Sequence, residues 1–369
     1  MRTLVEITTG SSVQVVTFRA LCYRKVMKIA CTVRLSDYQR GIVERAIPEI
    51  ELFYPETIYE TGSPYFPTVV DPAARDCEVL LGHINPKGLG EIAPRLRWIH
   101  LFSAGVDHVL RSSLVTERGI VLTNSSGTTA PWIAEYVIGA MLQHCRGFKL
   151  SMRGQAAHQW SHQPVRAVCH SLRGKTLGVI GYGSIGRAAA HLAHGFGMTV
   201  LALKRDPSTH RDPGWTLPEI GDQEGKLPSE WFSPDERIEL VRQSDYLLMA
   251  LPLTSQTRHF LGGPEFSAAK RNAYLINVAR GEVIDQQALI DALGRGQLAG
   301  SCLDVTTPEP LPADSALWEM ENVTLTFHTS AARPLESFYD LACELFAENL
   351  RRFVGGRELF NVIDPVRGY

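Results

Sequence analysis

The sequence predicts an α/β protein of two parallel-sheet domains. Three observations predict it: short apolar runs alternate with helix-length amphipathic stretches, the alternation falls into two series, and a glycine-rich turn opens the second. A chain of 369 residues with 44% hydrophobic side chains is enough for two cores of ordinary size.

Residues 1–26 carry Arg2, Arg19, Arg24 and Lys25 with Ser11 and Ser12 and a single acid, Glu6. They are expected to be an irregular N-terminal extension, the alternative being a mitochondrial import leader. The first strand is predicted at 27–33, followed by apolar runs at 78–81, 98–101 and 120–122. The first domain should span 27–130. Apolar side chains recurring at Ile133, Val137, Ile138, Met141 and Leu142 predict a connecting helix over 130–146. The second series, over 131–329, places strands at 177–180, 199–203, 246–251, 274–278, 301–303 and 323–327. Residues 205–236, rich in proline and glycine, break its regularity and are expected to be a surface insertion without direct chemistry. A helix at 335–353, with Phe338, Leu341, Ala342, Leu345, Phe346 and Leu350 on one face, should return the chain to the first domain, so that 330–369 complete it.

Composition excludes several classes. With 37 basic and 39 acidic side chains the net charge is -2, which gives no field for nucleic acid or an anionic membrane. The seven cysteines form no C-x-x-C pair, so neither a disulfide framework nor a metal site is expected, and a reducing, cytoplasmic setting is. No apolar run approaches the roughly 20 residues of a membrane-spanning helix.

The run Leu177-Gly178-Val179-Ile180-Gly181-Tyr182-Gly183-Ser184-Ile185-Gly186 sets G-x-G-x-x-G between a strand and a helix. Gly181 permits the tight turn, Gly183 admits a pyrophosphate, and Gly186 lets helix and sheet pack closely. The helix N-terminus, at Ser184 and Ile185, offers amides to phosphate. Counting 18 residues from Gly186 reaches Lys204, where an NAD site would usually carry an acid for the ribose hydroxyls. Lys204 and Arg205 instead suit a 2′-phosphate, so NADP(H) is expected in preference to NAD(H). The alternative is that both cations are solvated and Asp206 turns inward to serve NAD.

Three further segments end strands of the second series: Asn277 to Gly281, Leu303 to Pro310, and Phe327 to Ser330. Ligands bind beyond the carboxyl ends of such strands. Interconversion of a 2-oxo and a 2-hydroxy acid needs a hydride carrier, a proton-exchanging group and a cation, and His328 and Arg280 suit the last two roles. Glu309 would hydrogen-bond His328 and orient its ring.

With these motifs, and with Ser103-Ala104-Gly105-Val106-Asp107, Ala134-Glu135 and Leu251-Pro252-Leu253-Thr254, the chain resembles the D-isomer-specific 2-hydroxyacid dehydrogenases from about Leu96 to Asp364. Within that family, which also includes D-lactate and phosphoglycerate dehydrogenases, it is similar to the glyoxylate/hydroxypyruvate reductases of NADP type. The resemblance implies a Rossmann dinucleotide-binding domain inserted into a flavodoxin-like substrate-binding domain, usually in a homodimer. It further implies that Arg280 binds and polarises the substrate, that Glu309 and His328 form the acid-base pair, and that Asp304 lies near the nicotinamide. Leu251, Val278 and Ala279 would border the cofactor, and backbone amides at Ala104 and Gly105 would hold the substrate carboxylate. Two departures stand out: Phe327 replaces a common proline, and Thr329-Ser330-Ala331 replaces a common glycine. The expected activity is NADPH-dependent reduction of a small or bulkier 2-oxo acid to the D-2-hydroxy acid. The alternatives are a corepressor-like dinucleotide-binding scaffold, or a formate or phosphite dehydrogenase of the same fold. Trp132 and Trp160 are candidates for an apolar pocket wall, packing or dimer contact.

Overall fold

The computed structural model describes every residue except 1, 10–11, 20–25, 60–65, 111, 117, 218–219, 333, 335–336, 338, 366 and 368–369. The chain divides into two compact units, 1–128 with 333–369, and 129–332.

The first unit begins with β1 (Arg2–Thr9) and β2 (Ser12–Arg19), which pair antiparallel from Arg2 opposite Arg19 to Thr9 opposite Ser12. The irregular extension expected at 1–26 is therefore corrected over its described residues 2–9 and 12–19, which are paired strands. Its signal was present in composition: Thr3, Val5, Ile7, Thr8 and Thr9, and then Val13, Val15, Val16, Thr17 and Phe18, are β-branched or aromatic residues that favour strand.

Next come β3 (Met27–Cys31), α1 (Asp37–Glu44), β4 (Ile50–Phe53), β5 (Thr57–Ile58), β6 (Thr68–Val69), β7 (Val79–Gly82), α2 (Leu89–Ile92), β8 (Trp98–Leu101), α3 (Asp107–Leu110), α4 (Ser113–Thr116) and β9 (Val121–Asn124). A reciprocal Ser36–Gln39 capping box starts α1. The main sheet runs β4-β3-β7-β8-β9, all parallel, with β5 and β6 as a separate antiparallel pair. In sequence order that is 2-1-3-4-5, the flavodoxin-like winding.

The second unit contains α5 (Ala130–Cys145), α6 (Phe148–Ala156), α7 (His162–Val168), β10 (Thr176–Ile180), α8 (Ser184–Gly195), β11 (Thr199–Leu203), β12 (Pro228–Phe232), α9 (Arg237–Gln243), β13 (Tyr246–Met249), α10 (Gly263–Ala268), β14 (Tyr274–Asn277), α11 (Gln286–Gly294), β15 (Gly300–Leu303) and β16 (Val323–Leu325). These seven strands form one parallel sheet in the order β12-β11-β10-β13-β14-β15-β16, the doubly wound Rossmann pattern with a seventh strand. Core side chains cover both faces; α5 and α8 pack on one through Val137, Met141, Ala189 and Ala193.

Sequence periodicity gave six strands here, and β12 lies inside the segment expected to be an irregular insertion. Pro228-Ser229-Glu230-Trp231-Phe232 lacks an apolar run because β12 is an edge strand, where a leading proline and outward polar residues are tolerated.

Finally α12 (Asp340–Val354) closes the first unit. Its Phe346 and Phe353 rings stack on Trp98 with centroids 5.0 and 5.2 Å away, and Gln39 Nε2 donates to Asp340 Oδ1 at 2.8 Å. Phe338, which the apolar pattern placed on this helix, lies outside the described residues. No helix among the described residues is long and apolar enough to cross a membrane.

Candidate active site

The three motif glycines differ physically. Gly181, just after β10, has φ +103°, and a Cβ there would lie 2.5 Å from the Ala250 carbonyl oxygen. Gly186 sits in the first turn of α8, where a Cβ would come within 2.4 Å of the Gly181 carbonyl oxygen and 2.7 Å of Val179 Cγ1. Gly183, the N-cap of α8, is different, because a Cβ would meet nothing within 4 Å. Gly181 and Gly186 are therefore required by the fold, whereas the space at Gly183 is free for an incoming group. Together with the amides of Ser184 and Ile185 at the head of a twelve-residue helix, this fits a pyrophosphate.

Lys204 follows β11 directly, and its Nζ donates to the Thr209 carbonyl oxygen at 2.6 Å. Burial, then the neighbouring Arg187, push its ammonium pKa down. Arg205 is exposed, with Nη2 3.4 Å from Gln256 Oε1. Asp206 accepts from the Ser208 amide at 3.0 Å, the Ser208 hydroxyl at 2.6 Å and the Thr209 hydroxyl at 2.7 Å. These bonds hold its carboxyl below the usual range and occupy it within its own turn.

The loop that follows is fastened from beneath by Arg187 of α8, which is 1% exposed. Its guanidinium donates to the carbonyl oxygens of Asp222 and, at 2.6 Å, His210, pairs with Asp212 at 3.3 Å, and lies 4.8 Å over the Tyr182 ring. Tyr182 in turn donates to Asp222 Oδ2 at 2.8 Å, and that carboxylate also accepts from the amides of Lys226 and Leu227. His210 stacks on Trp231 of β12 at 4.5 Å. The segment is thus tied to the dinucleotide helix by a buried cation, a role that nothing in the motif announced.

At the other end of the sheet, β14, β15 and β16 are successive neighbours, so the segments after them share one edge. Asn277 bridges its turn, accepting from the Ala279 amide and donating to the Arg280 carbonyl, both at 3.0 Å. Val278 and Ala279 are buried, Leu251 is half-buried after β13, and Arg280 is half-buried with Nη1 donating to the Ala279 carbonyl oxygen at 2.8 Å. A Cβ at Gly281 would lie 2.0 Å from the Thr306 carbonyl oxygen, so glycine lets the turn press against the 304–310 loop. Gln286 clasps that loop through the Thr307 carbonyl at 2.6 Å and amide at 2.8 Å.

His328 Nδ1 and Glu309 Oε1 are 2.7 Å apart, both side chains being about half exposed (50% and 43%). His328 has φ +54°, in the left-handed region that a histidine seldom adopts. Asp304, 1% exposed, holds it there. Its Oδ1 accepts from the Thr326 hydroxyl at 2.6 Å and the Thr329 amide at 2.8 Å, its Oδ2 from the Ser330 amide at 3.0 Å, and its carbonyl from the His328 amide at 2.8 Å. Thr326 is backed by the Tyr136 hydroxyl at 2.7 Å, whose pKa burial pushes up. An imidazole bonded through Nδ1 to a carboxylate can exchange a proton through Nε2.

The structure thus brings His328 and Glu309 into contact, with Arg280 on the same sheet edge. Ala104 and Gly105 belong to the first unit, after β8, where Asn124 Nδ2 donates to the Ala104 carbonyl at 2.6 Å and the Ser103 hydroxyl to that of Gly105 at 2.8 Å. Trp132 is half-buried and Trp160 is 95% exposed. Sequence reasoning missed Arg187, Asp222, Gln286, Thr326 and Ser330, whose partners lie in loops that only the fold brings near.

The NAD-binding-domain model of the D-isomer specific 2-hydroxyacid dehydrogenases matches residues 138–330. Glyoxylate reductase of Korarchaeum cryptofilum is 31% identical over 330 residues, covering 88% of this chain and 94% of that protein. Glyoxylate reductase of Thermococcus gammatolerans is 34% identical over 290 residues, covering 76% and 81%. A crystal structure of a D-isomer specific 2-hydroxyacid dehydrogenase from Xanthobacter autotrophicus Py2, in complex with NADPH and MES, superposes with a TM-score of 0.74 at 25% identity, covering 94% of this chain and all of that one.

Proposed function

The chain belongs to the D-isomer specific 2-hydroxyacid dehydrogenase family and is an NAD(P)-dependent oxidoreductase; on that premise we propose that it reduces a 2-oxo acid to the D-2-hydroxy acid, with NADPH preferred to NADH. The observation that carries this reading is the 2.7 Å Glu309–His328 pair, on loops after β15 and β16 of the sheet that bears the glycine turn. The names of the relatives, glyoxylate reductases, support the substrate class.

Gly181, Gly183 and Gly186 with the amides of Ser184 and Ile185 would hold the pyrophosphate, Lys204 and Arg205 the 2′-phosphate, and Leu251, Val278, Ala279 and Asp304 the nicotinamide end. When bound, the cofactor supplies the hydride for C2 of the substrate. Arg280 binds the substrate and polarises its carbonyl. In the first unit, the amides at Ala104 and Gly105 are the candidates for holding a carboxylate. As C2 is reduced, His328 gives its Nε2 proton to the carbonyl oxygen and is left as the neutral imidazole. Glu309, bonded at Nδ1, fixes which nitrogen exchanges that proton. In the oxidative direction the neutral ring takes the hydroxyl proton. The engagement of Asp206 by Ser208 and Thr209 supports the NADP preference, since it removes the acid that an NAD site would use. Exposed Phe148, Met152 and Trp160 support a homodimer.

The purified full-length chain should oxidise NADPH with at least one of glyoxylate, hydroxypyruvate, phenylpyruvate and branched 2-oxo acids, and His328→Gln should lower kcat by about 10²–10⁴-fold. No turnover on any of them would refute the reading. Equal kcat/KM with NADPH and NADH, or a preference for NADH, would refute the cofactor assignment. Size-exclusion chromatography with light scattering reads the dimer, which a monomer mass would exclude.

A further inference from the structure

Five rings of the first unit form a continuous array beyond the ends of its parallel strands. His83 directly follows β7, and Phe102 directly follows β8. Phe102 stacks on Tyr339 with centroids 4.6 Å apart, His83 lies 6.1 Å from Phe102, 5.9 Å from Tyr339 and 6.3 Å from Phe66, and Phe66 stacks on His108 at 3.8 Å. His83 Nε2 is 3.4 Å from the Tyr339 hydroxyl, while its Nδ1 has no hydrogen-bond partner among the described residues.

Packing alone accounts poorly for this array. The rings of Trp98, Phe346 and Phe353 in the same unit are sealed in its core. Phe66, His83, His108 and Tyr339, by contrast, each keep part of their surface in solvent, so only Phe102 of the five is buried. No lysine or arginine is among them. Although its edge reaches solvent, most of the His83 ring is enclosed, and that desolvation lowers its pKa to about 4, so the ring is neutral at pH 7. The array is also continuous with Ser103-Ala104-Gly105, the next three residues after Phe102.

We propose that this array receives the side chain of the substrate, and that the preferred 2-oxo acid carries an uncharged aromatic ring, an arylpyruvate, in place of the single hydrogen of glyoxylate. This rests on the reading of Ala104 and Gly105 as the carboxylate site, because a substrate held there has its side chain next to Phe102. Ring faces and edges suit an aromatic guest in stacked or edge-on contact. Phe66, Phe102, Tyr339 and the neutral His83 offer no cation to a phosphorylated or dicarboxylic side chain.

The test is kcat/KM of the full-length enzyme with NADPH for glyoxylate, pyruvate, 3-phosphohydroxypyruvate and phenylpyruvate. Phenylpyruvate should exceed glyoxylate by about tenfold or more, since a single methylene in an apolar site already discriminates by about 10–200-fold. Phe66→Ala and the milder Phe66→Leu and Tyr339→Leu, each checked for folding by circular dichroism, should shrink the phenylpyruvate-to-glyoxylate ratio by about fivefold or more. A preference for glyoxylate or the phosphorylated acid, or a ratio unmoved in folded variants, overturns the inference while leaving 2-oxo acid reduction standing. Absence of turnover on every acid overturns both.

Discussion

Asp304→Asn isolates the carboxylate that keeps His328 in its left-handed conformation. The wild-type side chain takes three donors, the Thr326 hydroxyl and the Thr329 and Ser330 amides, at 2.6, 2.8 and 3.0 Å. Asparagine keeps one oxygen, so one side of the group loses its acceptor and presents an NH₂ to a donor. A hydrogen bond to a charged group contributes about 1.5–3 kcal/mol, and a buried donor without an acceptor costs about 1–3 kcal/mol. With partial relaxation the native loop is disfavoured by about 3 kcal/mol. Returning His328 from φ +54° to ordinary backbone releases roughly 1 kcal/mol, so an alternative loop conformation is at hand. The fraction of molecules with the imidazole in place should then fall about 100-fold, and kcat/KM for the 2-oxo acid with it. The assay is steady-state NADPH oxidation beside a thermal melt, where Tm should drop by about 5–10 °C. A kcat/KM within about threefold of wild type would refute the idea that Asp304 positions His328.

Gly183→Val should fold with a Tm within about 2 °C of wild type and lose NADPH binding, whereas Gly186→Ala, whose Cβ would sit 2.4 Å from a carbonyl oxygen, should lower Tm markedly; fluorescence titration and melts separate the two, and equal effects would contradict the space seen at Gly183. Arg187→Met should destabilise the second unit by about 3–5 kcal/mol by urea unfolding, because it strands Asp212 and the carbonyls of His210 and Asp222; a loss under about 1 kcal/mol would show that the guanidinium is dispensable. Burial holds the pKa of His100 at about 3 and those of His83 and His144 at about 4. These folded values lie below the unfolded one of about 6.5, so stability is complete above that pH and declines as pH falls towards 4. The loss is about 2 kcal/mol per histidine at pH 5, and identical urea midpoints at pH 7 and 5 would refute it.

What the sequence made legible is local. Strand, turn and helix around Gly181 to Gly186 lie within some ten consecutive residues, and each glycine's role follows from backbone sterics that need no distant partner. The Glu309–His328 pair was readable because both residues lie on the loops that follow neighbouring strands. Edge strand β12 was not, since an edge needs no apolar alternation. Nor were the bonds of Arg187 to residues 23 and 35 positions away, because a loop's path decides which carbonyls a buried cation meets. Asp206 stood open between two roles in the sequence, and the turn through Ser208 and Thr209 accounts for its carboxylate.

The helix α12, packed on Trp98 through Phe346 and Phe353, has a consequence for the order of assembly during synthesis. Residues 129–332 are contiguous, so the second unit has its whole core as soon as they have left the ribosome. The first unit has made all five strands of its sheet by Asn124 and still lacks the helix that covers Trp98. That sheet face stays open while the inserted unit is translated, which makes the nascent first unit the part of the chain most dependent on chaperones and most sensitive to C-terminal truncation.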